Sequence, residues 1–297
     1  MLTVDWIKRH QYQLKILTGY DLESFLRISE KLSAEGERMA DEGRLAPRRR
    51  KRGGGRKGIL RYPEIRALLV LIHIRHYPVQ EILAILMGVS QETICERLHP
   101  LLECLQRVLG AECILPKRPN GRGDWLIPCI QGKHYIIDGF DRPVQRSVDN
   151  DNQKLHYSGK KKRHTVKNTA VIDKETGQIV GLGSTFPGSM HDKKIVESDG
   201  MRFPPGSIHD QDTGYQGFNP EGSIARQPIK KPKGRDLTDW EKFSNRCVSM
   251  ERVRVEHAIR GIKISRAAKE IIRNHKPGYR DQIVEIAAGL YNDRISA

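Results

Sequence analysis

Long apolar runs are missing from this chain of 297 residues. The longest, "ALLVLI" and "EILAILMGV", fall far short of the roughly 20 residues that a membrane-spanning helix needs. The start, "MLTVDWIKRHQYQLK", lacks the apolar core of a secretion signal. Cysteine is scarce and unpatterned. Cys95, Cys104, Cys113, Cys129 and Cys247 include no C-x-x-C pair and are odd in number. That argues against a disulfide framework and a zinc site, and fits reduced thiols in the cytoplasm. Cys95, Cys104 and Cys113 recur at a spacing that is neither helical nor ligand-like, so they read as small buried or half-buried residues. No internal repeat is present.

Basic residues are abundant. Lys and Arg number 52 against 36 Asp and Glu, a formal charge of +16. Such an excess calls for a polyanionic partner, nucleic acid ahead of a membrane surface. The length allows one large or two medium domains with real cores.

Residues 1–57 read as a polar helical arm, with apolar marks at Phe25, Ile28 and Leu32, followed by a basic linker. In "APRRRKRGGGRKG", Arg48, Arg49, Arg50, Lys51 and Arg52 stand beside three glycines. This stretch builds no core; it is a solvated hinge or an arm that tracks phosphates. From residue 58 to 113 the pattern is helical. Pro63 opens an apolar helix, and "VQEILAILMGVSQETICERL" follows. Its Ala84, Gly88 and Ile94 supply a close helix approach, a turn and an anchor, and Ser90 is a good cap for the next helix. That is how a helix-turn-helix is built. Gln91, Glu92, Thr93 and Arg97 are then placed to reach double-stranded DNA.

Residues 114–133 are rich in Pro and Gly and read as a linker. Beyond them, residues 134–297 turn to strands. "HYIIDG" reads as a strand ending at Asp138, and "HTVKNTAVIDKETGQIVGLGSTF" as two strands joined near residue 177. "SMHDKKIVES" opens a helix, "GSIHDQDTGYQGF" runs from a short strand into a turn, and "IARQPIKKP" is another strand. A long helical tract spans 238–274, opened by a Thr238/Glu241 capping box, and a last helix runs from Tyr279 to Ile295. The expected class is α/β, with an α+β mixed sheet covered by helices behind an all-α unit.

Three acids then stand out: Asp138 and Asp212 at strand ends, and Glu256 on a basic helix. Each has an ordinary reading as a hairpin residue, a turn cap or a surface ion pair with Arg252 and Arg260. Together they make a hard-oxygen site for Mg²⁺ or Mn²⁺. Two such ions about 3.5–4 Å apart suit phosphodiester cleavage. Asp210 is a rival to Asp212, because alternate strand residues share a face.

The stretches "IIDGFDRP", "YSGKKKRHTVKN", "PGSMHDKKI", "HDQDTGYQGF" and "RVRVEHAIRGIK" occur in order. With the helical region before them, they resemble the DDE transposases of bacterial insertion sequences, in the PIF/Harbinger-like superfamily (insertion sequence family 5). The resemblance covers residues 55–295. It implies an RNase H-like catalytic fold after the helix-turn-helix and a metal-dependent strand transferase. It makes Asp138, Asp212 and Glu256 the catalytic and metal-holding acids. Arg252 and Lys263 match basic positions of the third motif, while Ser249 stands where relatives carry Tyr. Phe140-Asp141 replaces a small-then-acidic pair. Lys160, Lys161, Lys162, Arg163 and Lys167 fall beside the presumed active strand; such a run is usually a solvated turn, but the neighbouring acids favour DNA contacts. His191 and Asp192 match a motif with an auxiliary role, although Asp192 also reads as a helix cap.

These expectations describe a transposase that binds terminal inverted repeats, then cuts and joins DNA with two Mg²⁺ or Mn²⁺ ions. It would act as a homodimer or higher oligomer near the bacterial nucleoid, without a membrane. The alternatives are a transposase-derived DNA-binding regulator and a host-adopted endonuclease. If Arg97 and the 48–52 run grip phosphates, neutralising them will weaken DNA binding and flatten its salt dependence by roughly 0.9 in log–log slope per lost contact. An unchanged slope in a salt titration removes them from the interface.

Overall fold

Residues 67–72 are an unbroken apolar run, which leaves the middle of the helix over 63–76 without a polar face, so that helix has to be surrounded. In the computed structural model, which describes residues 2–42, 58–121, 124–128, 134–274 and 276–296, it is. The chain divides into two units: Met1–Ile114 with Ser265–Ala267, and Leu115–Ile264 with Ala268–Ala297. The basic run 48–52 and Cys129 lie outside the described residues.

The first unit is helical: α1 (Val4–Arg9), α2 (Gln11–Thr18), α3 (Leu22–Glu42), α4 (Pro63–His76), α5 (Gln80–Met87) and α6 (Gln91–Ala111). Pro63 occupies the first turn of α4, where its missing amide costs nothing. Ile65 and Ala67 to Ile74 are buried along α4. Phe25, Ile28 and Leu32 of α3 are buried in the same unit, with α3 packed on α4 and α6. Between α5 and α6, Gly88 takes the left-handed conformation (φ 66°). The Ser90 hydroxyl then accepts from the Thr93 amide at 3.2 Å. Ala84 and Ile94 are buried as expected. Cys104 is buried, and its Sγ meets the Leu32 carbonyl at 3.3 Å. Cys95 and Cys113, expected to be buried or half-buried, are exposed. Cys95 sits off the Ile94–Leu98–Leu102–Leu105 face of α6, and Cys113 lies in the turn beyond it.

The second unit carries a mixed sheet. Its elements are β1 (Trp125–Leu126), β2 (His134–Pro143), α7 (Asn150–His156), β3 (Tyr157–Ser158), β4 (Arg163–Asp173), β5 (Ile179–Leu182), β6 (Phe186–Pro187), α8 (Asp192–Ser198), β7 (Met201–Arg202), β8 (Ile208–Asp210), β9 (Ile224–Arg226), α9 (Asp239–Ile264) and α11 (Tyr279–Ser296); the residues of α10 (Arg266–Lys269) are divided between the two units. The central strands run in the order β5–β4–β2–β8–β9. β5, β4 and β2 pair antiparallel, while β8 and β9 join in parallel. This is the order and sense of an RNase H-like sheet. One face packs Tyr135, Ile137 and Val171 with Val196, Tyr215 and Phe218. Strand alternation turns Ile136, Asp138 and Phe140 to the other face. There α9 crosses β2, β4 and β8 and also packs on α11.

Three local expectations change. β2 does not stop at Asp138, because β4 stays paired with it as far as Pro143. The helical tract expected over 238–274 stops at Ile264 and resumes only as the single turn α10. Within 114–133, read as linker, Trp125 and Ile127 are buried in the core, and β1 pairs with β7. The Pro and Gly content masked a short apolar strand. The capping box forms as expected: the Thr238 amide donates to Glu241 at 2.7 Å, and the Glu241 amide to the Thr238 hydroxyl at 3.2 Å.

The seat of α9 on α11 needs a glycine. A Cβ on Gly261 would lie 2.1 Å from Cδ2 of Tyr291. Gly261→Ala will therefore lower the melting temperature, although alanine favours a helix interior by about 1 kcal/mol over glycine. A rise in melting temperature would refute the close seat.

Candidate active site

Asp138 lies in the middle of β2, the strand flanked by β4 and β8. Asp212 follows β8 by two residues, and its carboxylate accepts from the Thr213 amide at 2.7 Å, capping a turn of 3₁₀ helix. The two acids meet at one side chain. Arg252 of α9 places Nη2 3.7 Å from Asp138 Oδ1 and Nη1 3.3 Å from Asp212 Oδ1. Arg252 is 15% exposed, and its Nε is buried without a hydrogen-bond partner. A guanidinium thus sits where two carboxylates converge. Burial pushes the Asp138 carboxyl up to about 6; Arg252 and the Gly139 amide oppose the rise, and Asp212 and Asp192 add to it.

Asp210, the rival, is fully buried and already saturated. His134 Nε2 lies 2.8 Å from Oδ2, and Arg226 donates to Oδ1 at 2.7 Å. Next to it His209 is stacked on Phe203 and pushed down to about 4 by burial, a neutral core histidine.

Glu256 lies one helical turn past Arg252 and is exposed. Among the described residues it forms no ion pair with Arg252 or Arg260, and no group of three or more His, Cys, Asp or Glu stands in metal-holding geometry. Lys263 is three turns beyond Arg252 on the same face. Its ammonium lies 5.7 Å from the Phe140 ring centre. Burial lowers its pKa, with the nearby charge of Lys161 acting in the same direction and Asp141 and Asp138 opposing. Lys160, Lys161, Lys162 and Arg163 are exposed at the turn between β3 and β4. Cations therefore crowd one side of the acids, a field suited to phosphates.

His191 precedes α8, is exposed and makes no capping bond through its side chain. Asp192 begins α8 and pairs with Lys167 of β4 at 3.1 Å. Lys167, one of the basic residues expected beside the active strand, stands opposite Asp141 in the β2–β4 register; its pairing with Asp192 was not expected. In the helical unit Gln91 and Arg97 are exposed and Thr93 half-buried. Gln91 is bonded to Gln80 at 2.8 Å.

The model of the DDE superfamily endonucleases matches residues 137–292. The chain is a DDE superfamily endonuclease. A second match, over residues 62–111, is to the helix-turn-helix of these endonucleases, so this endonuclease binds DNA. The superfamily depends on divalent metal. The endonuclease is similar to a probable transposase for insertion sequence element IS702 of Microchaete diplosiphon, 28% identical over 86% of this chain and 88% of the relative. It is also similar to a putative transposase for insertion sequence element IS112 of Streptomyces albus G, 26% identical over 67% and 68%. A piggyBac transposase synaptic complex with hairpin DNA is 10% identical, covering 95% of this chain and 73% of its own, at a TM-score of 0.44. Among the described residues no helix is long and apolar enough to cross a membrane.

The donors at Asp138 and Asp212 fit a divalent cation. They are hard carboxylate oxygens, and they already face a common positive group. The raised Asp138 pKa has a direct consequence for the metal-free protein. Its contribution to stability is fully present below the ordinary value of 3.8 and is lost as pH rises through about 6. Asp138→Asn, measured in chelator, will therefore gain stability over wild type progressively as pH rises through that window. Parallel melting profiles at all pH values would contradict the burial of the charge.

Proposed function

We propose that this endonuclease is a DNA transposase that cuts the ends of its element and joins a 3′-hydroxyl to target DNA. The observation that carries the reading is the convergence of Asp138 and Asp212 on Arg252 within the region matched to the endonucleases. The transposase names of the similar proteins support it.

In this reading Asp138, Asp212 and Glu256 hold Mg²⁺ or Mn²⁺, as two ions. The exposed Glu256 turns inward to complete the set. When bound, the metal supplies Lewis-acid stabilisation of the charge that builds on the phosphate. The chain's own cations do the rest. Lys263 and the Lys160–Arg163 turn hold phosphates and align the backbone for in-line attack. Arg252 turns from the acids toward DNA or stays to orient them. The helix-turn-helix of residues 58–113 reads the terminal repeats through Gln91, Thr93 and Arg97, with the 48–52 run on flanking phosphates. Residues 134–297 carry the chemistry. Cutting two ends in concert calls for at least a homodimer, working in the cytoplasm at the nucleoid.

The test is a labelled DNA fragment carrying the element's end, incubated with and without Mg²⁺ or Mn²⁺. Wild type will cleave only with metal. Asp138→Asn, Asp212→Asn and Glu256→Gln will each bind the fragment as wild type does and leave it uncut. Binding without cleavage by wild type would overturn the transposase reading in favour of a regulator.

A further inference from the structure

The sheet alone does not fix the distance between Asp138 and Asp212. β2 and β8 are paired at His134↔Ile208, Tyr135↔His209 and Ile136↔Asp210, and the ladder ends there. The two acids lie beyond its end. Arg252 spans the gap on the α9 side. On the opposite face another group fills it. A Cβ on Gly139, the neighbour of Asp138, would lie 3.2 Å from Asp192 Oδ1 and 3.3 Å from the Tyr215 hydroxyl. A Cβ on Gly214, two residues after Asp212, would lie 3.0 Å from Asp192 Oδ2. One carboxylate is therefore wedged between the two backbones that carry the acids, with an oxygen against each.

We infer that Asp192 is a positioning residue that sets the separation of Asp138 and Asp212 from behind the sheet. The inference rests on the reading of those two acids as the cation-holding pair. Asp192 is itself held. Lys167 donates to its Oδ1 at 3.1 Å and to the Met190 carbonyl at 2.9 Å, and this lysine is only 17% exposed. α8, which Asp192 begins, packs on the turn that contains Gly214 and Tyr215. Tyr215 is fully buried, with its hydroxyl lacking a well-formed hydrogen bond. The site thus has a front brace of positive charge and a rear wedge of negative charge. The glycines at 139 and 214 are required because the wedge occupies the space of their missing methyl groups. Asp192 does not cap α8; the cap position is His191.

Mn²⁺ binding to the DNA-free full chain tests this by calorimetry and by the electron paramagnetic resonance of free Mn²⁺. Asp192→Ala removes the wedge. Gly214→Ala leaves it in place and pushes it from the Asp212 side. Asp192→Asn keeps its shape and its bond from Lys167. The alanine variants will bind Mn²⁺ about tenfold or more weakly, as supporting residues behind metal ligands do, while the asparagine variant stays near wild type. Melting temperature and binding of the helix-turn-helix to DNA report that each variant is folded. Should Asp192→Ala not fold, Gly214→Ala and Asp192→Asn still decide. Wild-type affinity in the folded alanine variants, alongside a loss in Asp138→Asn, overturns the positioning role alone. Equal weakening in Asp192→Asn and Asp192→Ala also overturns it, since charge and not shape would then matter. Wild-type affinity in both Asp138→Asn and Asp212→Asn rejects the acid pair itself, and the role of Asp192 with it.

Discussion

Like charges held close together repel, and a fold that brings two carboxylates to one point needs a counter-charge there. Arg252 is that counter-charge, reaching Asp138 and Asp212 from a single helix. Much of the second unit serves to deliver it. The capping box at Thr238 and Glu241 starts α9. Val255, Ile259 and Ile262 bury one stripe of that helix, and Gly261 lets Tyr291 come close. Each of these fixes the roll and height of α9, and hence the place of Arg252. A helix that slid by one residue would turn Arg252 away by about 100° and leave the acids facing each other.

The carboxylate that interrupts the basic helix takes no part in this pair. Glu256 stays exposed in the DNA-free chain, where a third negative charge beside the two acids would add repulsion. Charges of both signs are therefore sorted by depth along α9. Arg252 and Lys263 are drawn down toward the sheet, while Glu256, Arg254 and Arg260 remain in solvent. Lys263 tolerates its partial burial beside Phe140 because Asp138 and Asp141 are near enough to favour its charged form.

Much of this was legible in the residues. The spacing of Phe25, Ile28 and Leu32 marked α3, Pro63 and the apolar run after it marked α4, and the Thr238/Glu241 capping box marked the start of α9; the turn near residue 177 marked the β4–β5 hairpin; and ordered motifs pointed to Asp138 and Asp212. Other features were not legible because they depend on pairing across the sheet. The length of β2 follows from β4, which keeps bonding to it beyond the Asp-Gly step that reads locally as a turn. In a strand Asp210 would share a face with Asp212; the Asp-Thr-Gly-Tyr pattern favours Asp212, and the packing of His134 and Arg226 around Asp210 adds a reason that the sequence does not show. The partnership of Lys167 with Asp192 joins residues 25 apart in sequence, and no local pattern announces it. Exposure of Cys95 was hidden because a helix of buried neighbours still has an outward face.

The stretch before β2 limits where the catalytic half can be cut. The endonuclease match begins at residue 137, yet Trp125 and Ile127 are filled into the core next to Tyr135 and Val180. Trp125 also donates its indole N–H to the Lys117 carbonyl at 3.1 Å, and Lys117 in turn bonds along β5 through Val180 and Leu182. A fragment begun at the start of the matched region would lack an indole-sized plug and the outermost bonds of the β5 edge. The region matched to the family is thus shorter than the packed core, which reaches upstream to Trp125 and Lys117.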